Sequence, residues 1–276
     1  MYPYVKASKK CGINKNIVHS HAANNDKNHS IVNCSFDILH KILRSNIKKY
    51  ADIYAACSKN AAKWMFGNAI AENNQYIFVP NPIEAEKCQY NDRARTKIRK
   101  QLHMEDKFVV GCVSSFRPHK NMPHLIEVFK NLQDKLPNAT LLVCADGPFK
   151  NEFEKQTINK LREGSYKLLG HVDNVQEMLQ AFDVFVFPSK IEGFGMALVE
   201  AQAADLDCIF GKGIPEEAVV VDDNCHKLDN YNPANWSLEI LNTYKKAKKR
   251  NRNTYKIVQQ AGFNYSSPKL IVDLLD

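Results

Sequence analysis

The stretch that most constrains this chain runs from Asp183 to Ala204. Within it a short apolar run, Val184 to Phe187, is halted by Pro188 and Ser189. Its residues are β-branched or aromatic and apolar at every position, as in a parallel strand buried on both faces. A loop containing Gly193 and Gly195 follows, and then Met196 to Ala204, rich in good helix formers. Strand, glycine turn and helix in this order present the unpaired N–H groups of a helix start, at the positive end of its dipole. A phosphate is held there if nothing bulky blocks its approach. Two carboxylates frame the turn: Glu192 just before it, and Glu200 in the second helical turn. One can reach a group beside the phosphates and the other a group behind them.

This stretch resembles the retaining glycosyltransferases of family 4, whose signature is Glu, seven residues, Glu, with Gly-Phe-Gly after the first Glu. Here Glu192, Gly193-Phe194-Gly195, Glu200 and the small-residue helix with Ala201, Ala203 and Ala204 stand in register behind the strand and its proline. The resemblance implies an α/β fold of GT-B type, with two Rossmann-like, doubly wound parallel-sheet domains. It implies a nucleotide-sugar donor, a UDP-sugar foremost, and no other cofactor. It assigns Glu192 to donor-sugar hydroxyls, Glu200 to the ribose, and Gly193, Phe194, Gly195 and Met196 to the diphosphate end of the site. Read without the resemblance, the two glutamates are a loop acid and a helix-surface acid.

At 276 residues the chain can hold one large or two modest domains. Its 44% apolar and 25% charged residues are those of a soluble globular protein. No run approaches the roughly 18 apolar residues that cross a bilayer, and no leader pattern is visible, so a cytoplasmic location is expected. Eight cysteines occur without a Cys-x-x-Cys pair, and Cys112, Cys144 and Cys208 lie in strand-like runs, so neither a disulfide framework nor a zinc site is indicated. The net charge of +8 has its densest source in Lys245, Lys246, Lys248, Lys249, Arg250 and Arg252. Such a run reads as a solvated helix face, or as peripheral attraction to anionic lipid at the inner face of the plasma membrane, at about 1 kcal/mol per basic residue. No nucleic-acid motif accompanies the charge, so nucleic acid is not expected as a partner.

From the start of the chain, Met1 to Asn16 reads as the basic end of a helix and a turn at Gly12, and Asn16 to His21 as a short strand ending in two histidines. His-x-His is a weak metal signal without further ligands. In the family resemblance His21, rather than His19, matches the active-site histidine that ends a strand of the acceptor-side domain. Asn24 to Ser30 reads as a mobile polar loop, and Ser35 to Lys49 as a helix with Phe36, Leu39, Ile42 and Leu43 on one face. Ile53 to Cys57 is a strand, Ser58 caps a helix from Lys59 to Phe66, and Gly67 ends it. A further strand, Tyr76 to Val79, is closed by Pro80-Asn81-Pro82. The expected domains are a partial acceptor-side domain at 1–88, a linker at 89–104 and a nucleotide-sugar domain at 105–276. The first is expected to be incomplete, because Met1 to Lys15 does not supply the family's opening strand-helix units and glycine-rich loop.

The second domain alternates strand and helix, as a doubly wound parallel sheet requires. Strands are expected at Phe108–Val113, Ala139–Cys144, Tyr166–Leu169, Val184–Phe187 and Asp207–Phe210. Helices are expected at Pro123–Leu136, on a stripe of Leu125, Ile126, Phe129 and Leu132, and at Val175–Phe182 with Asp173 as cap. Asp146-Gly147-Pro148 resembles a turn of the family and reads as architecture. Where relatives carry Gly-Arg, this chain has Ser114-Ser115, so Arg117, two residues on, joins Lys120 as cationic partner of the diphosphate. By position, the resemblance adds Ser115 to the donor site and His171 and Val172 to the base. The segment Ile240–Asp276 reads as helical and basic, turning at Gly262, and in relatives such a tail crosses back onto the first domain.

The resulting expectation is transfer of a sugar, with retention, to a saccharide or polyprenyl-linked acceptor in capsule or exopolysaccharide biosynthesis. Glu192, Lys120 and His21 are the catalytic candidates. In the family the departing phosphate assists the incoming hydroxyl on the same face, so no metal or covalent carboxylate is required. The other reading is a remnant that binds a nucleotide-sugar without transferring it.

Overall fold

A computed structural model describes residues 2–23, 31–246, 249–250 and 253–264 of the chain. The expected loop Asn24–Ser30, the Phe36 side chain, Lys248, Arg252 and the last part of the tail lie outside those residues.

The chain opens with α1 (Tyr2–Lys10), then β1 (Ile17–Ser20), α2 (Ile31–Ile47), β2 (Ile53–Ala56), α3 (Lys59–Phe66), α4 (Asn68–Glu72) and β3 (Ile77–Phe78). Among the described residues these strands form a parallel sheet in the order β1-β2-β3. Local chemistry sets the limits of α3: the Ser58 hydroxyl accepts from the Ala61 N–H at 3.0 Å, and Gly67 ends the helix. The face expected on α2 is a correction to the sequence reading. Leu39 and Ile42 are exposed, as is Ile38, Leu43 is half-buried, and in this group only Ile47 is buried. A helical period of apolar residues marks a face that needs cover, and it does not say which partner provides it.

Next come α5 (Ala85–Cys88) and α6 (Asp92–Leu102), the latter inside the segment expected as a linker. Asn91 caps α6 by accepting from the Ala94 N–H. The larger unit then runs β4 (Phe108–Ser115), α7 (Met122–Gln133), β5 (Ala139–Asp146), α8 (Lys150–Lys160), β6 (Tyr166–Leu168), α9 (Val175–Ala181), β7 (Val184–Phe187), α10 (Met196–Ala203), β8 (Asp207–Gly211), β9 (Cys225–Leu228), α11 (Pro233–Lys246) and α12 (Thr254–Gln260). Its strands are all parallel and ordered β6-β5-β4-β7-β8-β9. With β4 counted first, this is the doubly wound order that reverses direction between β4 and β7.

Alternation along the strands divides the core. Val184 and Val186 face the layer of α7, α8 and α11, whereas Phe185 and Phe187 face the layer of α9, α10 and α12. The second layer is continuous with the first unit through Val18, Ala56 and Phe66. The tail returns toward the first unit as expected: Phe263 is buried against Phe194, and the turn at Gly262 lies beside Pro80.

Several elements differ from the sequence reading. Strands β4 and β5 extend through Ser115 and Asp146, whose backbones remain in register although their side chains are polar. The edge strand β9 is only partly buried and carries His226 and Lys227, so it lacks an apolar run. Helix α8 buries little beyond Phe153 and Thr157, too few positions to mark a stripe. Asp173 does not cap α9. Asn174 holds that position, with no side-chain cap bond, and Asp173 instead pairs with His171 at 3.3 Å. Nor is the basic run wholly solvated: the Arg250 guanidinium is half-buried and donates to the carbonyls of Ala204 and Phe182.

On the sheet edge away from the strand C-termini, Asp183 gathers two arginines of α6. It pairs with Arg95, lies 3.0 Å from the Arg99 guanidinium, and accepts from the Val109 N–H at 2.6 Å. Arg99 is only 6% exposed. Removing the carboxylate strands buried positive charge, so Asp183→Ala is expected to cost about 3–5 kcal/mol. A fall in the urea midpoint without a change in m checks this, with Asp183→Asn, which keeps the shape, falling between.

Candidate active site

Because the larger sheet is parallel, the segments after β4, β6, β7 and β8 all emerge on one edge, where open α/β sheets hold ligands. After β4 the chain makes one 3-10 turn, Pro118–Lys120, ended by Asn121 in the left-handed region. The His119 carbonyl accepts from the Lys190 N–H at 2.8 Å, which ties this loop to the one after β7. The Glu192 N–H donates to the Gly213 carbonyl at 3.2 Å, tying in the loop after β8.

These ties bring Lys120 and Glu192 together from positions far apart in sequence. The Lys120 Nζ lies 2.7 and 2.8 Å from the two carboxylate oxygens of Glu192, and the side chains are 18% and 8% exposed. The same ammonium stands 5.8 Å from the centroid of the Phe187 ring. An ammonium has three donors. Two N–H groups directed at Glu192 leave a third for an incoming oxygen, while the pairing holds the carboxylate in one orientation.

Gly195, at φ +103°, makes the turn into α10 in a conformation costly for other residues. The Phe194 side chain is buried, so that residue offers the site its backbone only, while Met196 is exposed. Helix α10 is buried on most sides and is fixed by Gln202, which donates to the Ala218 carbonyl and accepts from the N–H groups of Val220 and Val221. On this helix, burial and then the nearby Glu84 carboxylate push the Glu200 carboxyl up to about 7. No described residue hydrogen-bonds to its carboxylate.

The first unit meets this edge at His21, just beyond β1. The His21 Nδ1 is 2.8 Å from the Asn81 side-chain oxygen, and its ring lies 4.0 Å from that of His19. His19 is different in kind: burial, and next the His21 ring, hold it down to about 4, so it stays neutral near pH 7. Gly193 has an added reason to lack a side chain. A Cβ there would stand 2.2 Å from the His21 carbonyl oxygen, so the first unit's backbone fills the room beside Gly193. The Ser58 hydroxyl donates to the Gly193 carbonyl, and the Cys57 thiol lies 3.6 Å from it.

The remaining candidates are spread along the same edge. Ser115 is the last residue of β4, half-buried and in register with Asp146. Arg117 is exposed and lines a separate cavity of about 330 Å³ with Phe116, Phe149, Glu152 and Phe153, so the two cations paired in the sequence reading diverge. His171 is exposed after β6, and Val172 is half-buried against the core. Sequence reasoning missed Lys190, Gly213 and the second role of Ser58. Gly213 carried a signal in the Gly-x-Gly spacing, whereas Lys190 carried none beyond its charge.

Two parallel-sheet units with the candidate site on the larger unit's C-terminal edge, faced by the first unit, define the GT-B architecture. The chain superposes on HepE of Anabaena in complex with UDP with a TM-score of 0.82 at 18% identity, covering 99% of this chain and 75% of that one. Residues 94–259 match the family described as glycosyl transferases group 1, and the chain belongs to that family. Among its relatives are EpsF of Bacillus subtilis (strain 168), 29% identical over 64% of this chain and 46% of that protein, and the capsular polysaccharide biosynthesis glycosyltransferase CapM of Staphylococcus aureus, 30% identical over 65% and 42%. The chain thus spans less than half the length of these two relatives.

The raised Glu200 carboxyl fixes the sign of a stability effect. As pH rises from about 4.5 to about 7, the unfolded chain releases this proton while the folded chain retains it, so stability falls across that window and is then flat. Glu200→Gln removes the loss. The variant is expected to melt about 2–6 °C above the parent at pH 8 and level with it near pH 4.5, as scanning calorimetry reads.

Proposed function

We propose that this chain transfers a sugar from a nucleotide-sugar, a UDP-sugar foremost, to a saccharide or lipid-linked acceptor with retention, in surface-polysaccharide biosynthesis. The observation that carries the reading is the half-enclosed Lys120–Glu192 pair beside the start of α10, with Glu200 on the same helix and His21 facing from the first unit. Membership in the group 1 glycosyl transferases, the similarity to CapM and the fold shared with a UDP-bound protein support it. Among the described residues no helix is long and apolar enough to cross a membrane. The reading places the work on the cytoplasmic side, with any membrane contact peripheral.

In this reading the diphosphate lies along the start of α10 near Gly195 and Met196, and the third N–H of Lys120 meets a phosphate oxygen. Charge develops on that oxygen as the anomeric C–O bond breaks, and a fixed ammonium and helix dipole stabilise it more than the ground state. Glu192, oriented by Lys120, accepts from donor-sugar hydroxyls. The acceptor oxygen bonds to the anomeric carbon on the face the phosphate leaves, and its proton passes to the departing phosphate. His21 stands on the acceptor side of the cleft, Glu200 accepts from the ribose, Ser115 flanks the phosphates, and His171 and Val172 border the base.

Titration calorimetry with UDP and a UDP-sugar panel tests these roles. Glu200→Ala is expected to weaken UDP itself by about 10- to 100-fold, the loss of a charged hydrogen bond worth about 1.5–3 kcal/mol. Glu192→Ala should mainly erase the preference for UDP-sugar over UDP. A ribose bound by the carboxylate requires Glu200 to ionise, so affinity should rise from pH 6 to pH 8 with proton release on binding. The opposite assignment of the two variants, or pH-independent binding, refutes these roles. Tight UDP-sugar binding without turnover on any acceptor selects the binding-only reading.

A further inference from the structure

Strand β1 ends in two histidines whose side chains reach across the neighbouring strand. His19 stands in register with Ala55 of β2, and Ala55 with Ile77 of β3, so alternate side chains of the three strands share a face. The pairing runs on to His21, Cys57 and Val79: the Cys57 N–H donates to the Ser20 carbonyl at 3.1 Å, and the Val79 N–H to that of Ala56 at 2.9 Å. Adjacent strands lie about 5 Å apart, so a side chain of β1 meets the end of β3 only by passing over a small residue of β2. Ala55 and Cys57, both fully buried, form that low middle row.

Over it, the His21 Nδ1 comes to 2.8 Å from the side-chain oxygen of Asn81, two residues past Val79. Pro80 and Pro82 restrict the backbone on either side of Asn81, which is half-buried. Burial pushes the Cys57 thiol up to about 11, and the rest of the Asn81 amide, facing the sulfur, draws it back, which takes an N–H donor. Both neighbours therefore orient the amide, with nitrogen to sulfur and oxygen to imidazole. An amide oxygen only accepts, so the His21 Nδ1 carries the proton and Nε2 keeps a lone pair. No described residue hydrogen-bonds to that Nε2, and His21 is exposed where its carbonyl meets Gly193 of the larger unit. His19 is the contrast: its ring stands against the Val79 backbone, and its Nε2 is buried without a partner.

We propose that Asn81 is a positioning residue: by accepting from the Nδ1–H of His21 it fixes the tautomer whose Nε2 accepts from a hydroxyl of the incoming sugar. The reacting hydroxyl keeps its own proton for the departing phosphate, so the one held by His21 is a second hydroxyl of the same acceptor. This rests on the transferase reading and adds to it the residue that sets the chemistry of His21. One N–H···O bond favours a tautomer by about tenfold, enough to outweigh the preference of a free imidazole for Nε2–H.

Nitrogen NMR of the isotope-labelled full chain at about pH 9, above the ordinary imidazole range, reads the tautomer directly. The chain has nine histidines, and His21→Ala identifies the His21 signals by their loss. The parent is expected to hold His21 as Nδ1–H. Asn81→Ala, and separately Asn81→Leu, which refills the space, should each shift the ratio about tenfold toward Nε2–H. Asn81→Asp, which keeps an acceptor oxygen, should retain Nδ1–H. Unchanged melting temperatures show that the variants fold.

Release of UDP from UDP-glucose, UDP-galactose or UDP-N-acetylglucosamine, stimulated by the methyl glycosides of the same sugars, reads the positioning. Asn81→Ala is expected to lower kcat/KM for the glycoside about tenfold and to leave UDP affinity unchanged. In a His21→Ala background the same change should add nothing, since Asn81 acts through His21. A parent His21 held as Nε2–H, a tautomer unchanged in Asn81→Ala, or a loss that persists without His21 overturns the proposal. A chain that binds no UDP-sugar, with the tautomers as expected, removes the transferase reading and leaves Asn81 as the residue that fixes His21.

Discussion

Parallel strand pairing is the constraint on which the rest of this structure depends. Each strand of the larger sheet must be followed by a crossover before the next can pair, so every strand leaves the sheet in the same direction. The groups after β4, β7 and β8 are thereby delivered to one edge from distant parts of the chain. Lys120 and Glu192 meet there, half-enclosed, through backbone hydrogen bonds between their loops rather than through the ion pair alone. That order matters energetically, because an ion pair taken out of water repays its desolvation only when geometry is already imposed.

The opposite edge shows the same physics put to structural use. Asp183 receives α6, and Arg250 reaches the carbonyls of Ala204 and Phe182, fastening the segment before the larger unit and the tail after it to one end of the sheet. These charges serve stability, whereas those on the C-terminal edge stand where open α/β sheets hold ligands. Glu200 differs from both: it is half-buried, no described residue hydrogen-bonds to its carboxylate, and burial pushes that carboxyl up to about 7, at a cost in stability above that pH.

Much of the larger unit was legible because its signals are local. The apolar run of β7, the glycine turn and the start of α10 fall where the residues indicate, and α3 is bounded by Ser58 and Gly67 as capping chemistry requires. Illegible elements were those whose reason lies elsewhere in the fold. Strand β9 is an edge with a polar sequence, Arg250 is half-buried against carbonyls many positions away, and the apolar side of α2 carries no mark of what covers it. Within the site, residue types named the candidates, but a period or spacing could not tell that Arg117 and Lys120 diverge, or that the room beside Gly193 is filled by the His21 carbonyl.

Gly193 is gripped by the first unit on several sides: the His21 backbone lies against its α-carbon, and the Ser58 hydroxyl and Cys57 thiol are directed at its carbonyl. It is also bonded directly to Glu192. Any rotation that parts the two units must pull this grip loose or drag the loop along, and either way the carboxylate's aim changes with the width of the gap. The hinge angle and the pointing of Glu192 are thus coupled as one mechanical coordinate, with a single peptide link as the transmission between them.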